Sequence, residues 1–130
     1  MKQYLLATNI CIYLFKGLFD LIEKIETIGT ENFFISEITI AELKFGAENS
    51  EFPEENAKKI IQIQQLFTVI PIFNSLDVYA KEKARLKKAG RILDDFDLLI
   101  GATAIANNLT LVTRNVSDFD RLHGIENWAK

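Results

Sequence analysis

Leu93-Asp94-Asp95-Phe96-Asp97-Leu98-Leu99-Ile100-Gly101-Ala102-Thr103-Ala104-Ile105-Ala106 sets three carboxylates directly ahead of a nearly unbroken run of apolar and small side chains. A helix that is apolar around most of its circumference is covered on several sides by the rest of the protein. The stretch therefore predicts an interior helix, with Asp97, at its first turn, drawn inward from open water. Asp94 and Asp95 have an ordinary explanation, because carboxylates at a helix start cap free N–H groups and oppose the helix dipole. Asp97 asks for more. A carboxylate beside a buried helix is costly unless a cation or a donor compensates it, which makes a metal ligand the sharper reading.

Downstream of this helix, Asn107-Asn108 is a stop signal and Leu109-Thr110-Leu111-Val112 reads as a short strand. Thr113 to Phe119 is a polar turn, and Ile125-Glu126-Asn127-Trp128 is expected to be a last edge strand. Upstream, Asn74 or Ser75 caps a helix that runs to Ala89 and is terminated by Gly90. Its surface carries Lys81, Lys83, Arg85, Lys87 and Lys88, followed by Arg91. A solvated face is the preferred reading of such a run, with a phosphate-contacting flank as the alternative. Further back, Phe67 to Ile70 is a strand stopped by Pro71. Ala57, Ile60, Ile61, Gln64 and Phe67 form the stripe of a helix from Pro53 to Phe67. The polar stretch Glu48 to Glu55 separates two helices, not two domains.

Ser36 is placed to cap a helix from Glu37 to Ala47, with Ile38, Ala41 and Phe45 on one side and Ile40, Leu43 and Ala47 on another. Glu42 lies between them. A helical glutamate is usually solvated, but one with mainly apolar helical neighbours is a second site candidate. Ahead of it come a strand at Phe33-Phe34-Ile35 and an amphipathic helix marked by Leu18, Leu21, Ile22, Ile25 and Ile28 and closed by Gly29. A short helix from Ile10 to Phe15 and a strand at Tyr4-Leu5-Leu6, ending at Ala7-Thr8-Asn9, complete the chain. Strands separated by helices imply a mainly parallel sheet covered by helices.

The 130 residues, 48% of them hydrophobic, suffice for one domain with a proper core and not for two ordinary ones. No run approaches the roughly 18 apolar residues that a membrane helix requires. The N-terminus lacks an export-signal pattern, so a cytoplasmic location is expected. Cys11, between Ile10 and Ile12, reads as a packing residue; a single cysteine excludes a disulfide framework, and the single His123 discourages zinc. A net charge of −3 argues against a nucleic-acid partner unless the basic residues are segregated, and they are not evenly spread.

In an open parallel sheet, ligands bind beyond the C-terminal ends of the strands. The segments leaving the first, second and fourth strands carry Ala7, Glu42, and Asn115 with Asp118, while Asp97 opens the helix leading into the fourth. Clustered carboxylates raise one another's pKa, and a native cluster of them usually holds a hard divalent cation. Such a site suits phosphodiester chemistry.

At these residues the chain resembles the PIN-domain ribonucleases, in particular the VapC-like toxins of bacterial and archaeal toxin–antitoxin pairs. Tyr4-Leu5-Leu6-Ala7-Thr8-Asn9 is similar to the family's opening strand, and Ile35-Ser36 with Ala41-Glu42-Leu43 to its second motif. Asp97-Leu98-Leu99-Ile100 with Ala102 resembles the third, and Leu111-Val112-Thr113-Arg114-Asn115 with Asp118-Phe119 the fourth. Gly124-Ile125-Glu126-Asn127-Trp128 is similar to the family's ending, so the resemblance spans nearly the whole chain. It implies a single three-layer α/β/α domain over residues 1–130, with a mainly parallel central sheet of four to five short strands. It implies that Glu42 and Asp97 are acidic active-site residues binding Mg²⁺ or Mn²⁺. Asn115 or Asp118 would supply a fourth position, with Thr8, Asn9 and Arg114 on the substrate side. The implied reaction is hydrolysis of single-stranded or looped RNA, of the tRNA or ribosomal RNA class, which blocks translation. The implied partners are a VapB-like antitoxin whose tail fills the groove and a second copy in a homodimer, within a larger toxin–antitoxin assembly.

Ala7 stands where the family carries its first aspartate. A methyl group neither coordinates a cation nor accepts a proton, so weak metal binding and very low activity are expected. The exchange reads as one introduced to disarm a toxin, in preference to a natural pseudoenzyme. The rival expectation is a non-catalytic PIN-like shell that holds RNA or an antitoxin; Ala7 favours it, whereas the retained Glu42, Asp97 and Asp118 do not. A phosphoacceptor domain would need an acid at the end of a central strand with a lysine nearby, and no such arrangement is evident. Serine or cysteine hydrolase chemistry is disfavoured because the one histidine, His123, follows a charged turn.

Overall fold

Alternation of side chains along the strands divides the core in two. In β1 (Tyr4–Leu6), Tyr4 and Leu6 join the cluster on one face of the sheet, while Leu5 joins the cluster on the other. The computed structural model describes residues 2–114, 125, 126 and 128, so Asn115, Asp118 and His123 lie outside the described residues. On the first face, Leu6, Phe33, Ile35 and Val112 pack against side chains of α1 (Thr8–Phe15), α2 (Leu21–Ile28), α3 (Glu37–Glu48) and α4 (Pro53–Leu66). On the second, Leu5, Phe34 and Leu111 pack against Ile100 and Ala104 of α6 (Asp95–Ala106), and α5 (Leu76–Lys88) packs against α6. The result is the expected three-layer α/β/α arrangement.

The sheet order is β3 (Thr68–Ile70), β2 (Phe33–Ser36), β1, β4 (Thr110–Val112) and β5 (Ile125–Glu126), with every neighbouring pair parallel. Leu5 lies opposite Phe34 on one side and Leu111 on the other. The chain builds outward from β1 to β3 and then crosses to place β4 against the other side of β1. That reversal is a topological switch point, where α/β sheets open a crevice for ligands.

Helix ends follow their local chemistry. Ser36 accepts a hydrogen bond from the Ile38 amide at 3.1 Å and caps α3, and Asp94 caps α6 through the Phe96 amide at 3.2 Å. Gly90, with φ of +72°, closes α5: Arg91 N donates to Leu86 O at 2.9 Å and Gly90 N to Lys87 O at 3.1 Å, the paired bonds of a Schellman motif. Asn108, with φ of +55°, closes α6 in the same way. No helix among the described residues is long and apolar enough to cross a membrane.

Several boundaries differ from the sequence expectation. The helix predicted from Leu18 begins at Leu21, because Phe19 and Asp20 turn left-handed (φ of +58° and +53°) and the Phe19 ring packs edge-on against Tyr13. Neither Asn74 nor Ser75 caps α5 through its side chain; a short 3-10 turn, Phe73–Ser75, leads into it instead. On α4 the buried stripe is Ile60, Ile63 and Phe67, with Ile61 54% exposed, and on α3 Phe45 is 71% exposed. Both helices bury one narrower face than predicted. The residues from Lys81 to Arg91 are largely solvated apart from Leu86, although Lys83 is tied to Asp95.

Candidate active site

The turn after β1 is fixed by its backbone. Ala7 N donates to Val112 O at 2.9 Å, and Ala7 O accepts from the amides of Ile10 and Cys11 at 3.1 and 3.2 Å. Position 7 is thus set as the residue before α1 by bonds that do not involve its side chain, and its methyl group is nearly buried. Two residues on, Asn9 spans the switch point: its Nδ2 donates to Thr113 Oγ1, and its Oδ1 accepts from Arg114 N, each at 3.3 Å. The ends of β1 and β4 are held together at the mouth of the crevice.

Two carboxylates reach this place from different layers. Glu42 sits on α3, the helix rooted by Ser36 at the end of β2, and is half-buried. Its Oε1 accepts a hydrogen bond from Thr8 Oγ1 at 2.7 Å, and the same hydroxyl lies 3.1 Å from Thr39 Oγ1. Asp97 comes from the first turn of α6 and is also half-buried. Ala7, Thr8, Asn9, Glu42, Asp97 and Thr113 line one depression of about 210 Å³. The structure therefore brings together five of the residues singled out in the sequence: Ala7, Thr8, Asn9, Glu42 and Asp97. Arg114 stands beside them, with Nη1 donating to Tyr13 OH at 2.6 Å and its guanidinium 5.7 Å from the centre of the Tyr13 ring. Asn115 and Asp118 fall outside the described residues.

The donors facing the depression are oxygens, the ligands that Mg²⁺ and Mn²⁺ favour. Among the described residues no group of three His, Cys, Asp or Glu side chains is placed to hold a metal ion. Two carboxylates are present, and the methyl of Ala7 occupies part of the perimeter. Since Mg²⁺ keeps several waters and uses one or two carboxylates, the donor set fits such an ion with one oxygen fewer than an aspartate at position 7 would provide.

The depression does not stand alone. It shares Ile12 and Glu42 with an apolar cavity of about 260 Å³, which in turn shares Phe15 and Lys59 with another of about 270 Å³. Together they make a trough across α1, α2, α3 and α4. Cys11, by contrast, has no part in the site: it is fully buried, and desolvation pushes its thiol up to about 12.

Three polar side chains of the site were not singled out beforehand: Thr113, which lines the depression and accepts from Asn9, and Thr39 and Tyr13. Thr39 is one turn before Glu42 on α3, a spacing that places both on one side of a helix, yet an interior threonine carries no signal of its own in the sequence. Tyr13 holds Arg114 across about a hundred residues of chain, which only the fold reveals.

Residues 4–124 match the PIN domain. The chain is 34% identical to ribonuclease VapC2 of Rickettsia felis over 137 aligned residues, covering 98% of each protein. It is 30% identical to the tRNA(fMet)-specific endonuclease VapC of Shigella flexneri, covering 99% of this chain and 100% of that protein. Its fold is similar to the crystal structure of VapBC2 from Rickettsia felis bound to a DNA fragment from their promoter. The TM-score is 0.89 at 34% identity, over 96% of this chain and 98% of that one.

Proposed function

The chain belongs to the PIN-domain family, among the VapC ribonucleases, and from that membership we propose that its acid-lined depression is a metal-dependent endoribonuclease site, disarmed at Ala7. The observation that carries the proposal is the meeting of Glu42 and Asp97, from opposite layers of the fold, around one depression at the switch point. Glu42 and Asp97 hold Mg²⁺ or Mn²⁺, with Asn115 or Asp118 completing the set by the family pattern. When bound, such a cation supplies acidified water and charge stabilisation for the departing oxygen of a phosphodiester. The chain's own groups do the rest. Thr8 fixes one oxygen of Glu42, Asn9 keeps the ends of β1 and β4 together, and Arg114, oriented by Tyr13, offers a guanidinium at the rim for an RNA phosphate. Ala7 contributes no donor, so this chain holds the ion weakly and cleaves very slowly.

The substrate proposed is tRNA, the class named for the Shigella flexneri relative, with ribosomal RNA as the other candidate, and the site of action is the cytoplasm. A VapB-like antitoxin is the proposed partner, its tail lying in the apolar trough that opens onto Glu42. Phe73, Ile92 and Phe96, all exposed around the starts of α5 and α6, support a second copy of the chain as a further partner. Restoring the acid is the decisive test. Ala7→Asp is expected to cleave tRNA in the presence of Mg²⁺ or Mn²⁺ and to stop in EDTA. Because backbone bonds hold position 7 and its side chain borders the depression, the substitution is expected to leave the turn intact. No metal-dependent cleavage by that variant, with RNA still bound in EDTA, would favour the second reading, a non-catalytic binding shell, which the methyl of Ala7 alone supports.

A further inference from the structure

The geometry points to Thr39 as a positioning residue that orients Glu42 through Thr8, an assignment that rests on the reading of Glu42 as a cation ligand. Thr39 is fully buried on α3. Thr8 Oγ1 stands 3.1 Å from Thr39 Oγ1 and 2.7 Å from Glu42 Oε1, and it has one proton for two neighbours. An ionised carboxylate only accepts hydrogen bonds. Thr8 therefore donates to Glu42, and the proton between the two hydroxyls belongs to Thr39. The relay runs one way, from Thr39 to Thr8 to Glu42.

A threonine inside a helix ordinarily returns its proton to the carbonyl one turn back. Thr103 does so to Leu99 O at 2.8 Å, and Thr27 to Glu23 O at 2.8 Å. Thr39 departs from that habit: among the described residues its hydrogen-bond partner is Thr8. A buried hydroxyl must find a partner, so Thr39 holds the Thr8 rotamer from beneath, and Thr8 holds Glu42. Hydrogen bonds in such a chain polarise one another, which strengthens the terminal one. Oε1 is thereby turned back to Thr8 while Glu42 lines the depression.

Thr39→Val keeps the shape and removes the proton, whereas Thr39→Ser keeps the proton. Crystal structures of the metal-free variants read the positioning directly. Thr39→Val is expected to break the Thr8 to Glu42 contact or split it between rotamers, and Thr39→Ser to preserve it. Mn²⁺ binding, followed by electron paramagnetic resonance in the Ala7→Asp protein, is expected to weaken about three- to tenfold with Thr39→Val and to stay within about twofold with Thr39→Ser, the scale of one neutral hydrogen bond. Thr8→Val, at a half-buried position, breaks the relay at its middle and guards against a folding failure of Thr39→Val; it must weaken Mn²⁺ binding at least as much. An intact Thr8 to Glu42 contact in Thr39→Val overturns the inference, as does a serine that fails like the valine or an unchanged Mn²⁺ affinity in Thr8→Val. Absence of Mn²⁺ binding by Ala7→Asp itself would overturn the cation reading of Glu42, and the crystal structures would still decide whether Thr39 positions it.

Discussion

Asp95 and Asp97 stand two residues apart on the same helix and end in different surroundings. Asp95 Oδ1 accepts from Lys83 Nζ at 2.8 Å and from Tyr79 OH at 2.9 Å, joining α6 to α5 on an exposed flank. The bond from Lys83, and then that from Tyr79, hold its carboxyl below the usual range. Asp97 points the other way along the first turn and shares a depression with Glu42, whose hydrogen-bond donor among the described residues is the neutral hydroxyl of Thr8. A carboxylate facing a lysine has its charge answered within the chain. One that accepts from a hydroxyl is oriented by a donor that brings no opposite charge of its own. The same helix start thus ties one carboxylate to the neighbouring helix and turns another toward the depression proposed as the cation site.

The largest expected effect tests that division directly. In the Ala7→Asp protein, Glu42→Gln and Asp97→Asn are each expected to lower the single-turnover rate of tRNA cleavage by on the order of 10²-fold or more, as removal of a group acting within a catalytic unit does. Asp95→Asn, in the same background, should leave the rate within about twofold, since an exposed ion pair contributes little. Equal losses from Asp95→Asn and Asp97→Asn would break the comparison.

The sheet and its layers were legible because short apolar runs alternate with helical stripes, a pattern that depends on neighbours in the chain. Glu42 and Asp97 were legible as acids out of keeping with apolar surroundings, and their meeting followed from strand ends in a parallel sheet. What escaped depended on long-range contacts. Leu18 fits the helical period, but the packing of Phe19 on Tyr13 delays the helix to Leu21. Phe45 fits a helical face and is nevertheless exposed, because α3 turns Ile40, Leu43 and Ala47 inward. Asp94 and Asp95 both read as helix-start carboxylates, and Asp94 is the cap; only the packing of α5 on α6 reveals the bond of Asp95 to Lys83. Thr39 gives no hint at all until Thr8 is seen above it.

An intermediate effect concerns the roots of the two helices that carry the site's acids. Ser36 caps α3 from a fully buried position, whereas Asp94 caps α6 in the open. Ser36→Ala leaves the Ile38 amide without its partner and without water, and is expected to cost roughly 1–2 kcal/mol in urea unfolding, the upper part of the range for caps. Asp94→Ala, whose amide water can reach, should cost no more than about 1 kcal/mol. The reverse order would mean that burial does not decide the value of these caps.

The smallest effect separates charge from hydrogen bonding at Asp95. Because the folded carboxyl is depressed below its ordinary value of 3.8, its stabilisation is present above that pH and is lost as pH falls through the folded value. Lys83 is raised above 10.5, mainly by its bond to Asp95, so its share is present below that pH and lost as pH climbs through the folded value. The difference in melting temperature between the parent and Asp95→Asn should therefore form a low plateau between these limits and close on both sides. It should also shrink in about 1 M salt, where the screening length falls to roughly 3 Å. A difference that survives acid and salt would mean that the contact does not depend on charge. Asp95 would then be held, as Glu42 is, without an opposite charge, and the distinction between the two carboxylates would have to rest on the depression alone.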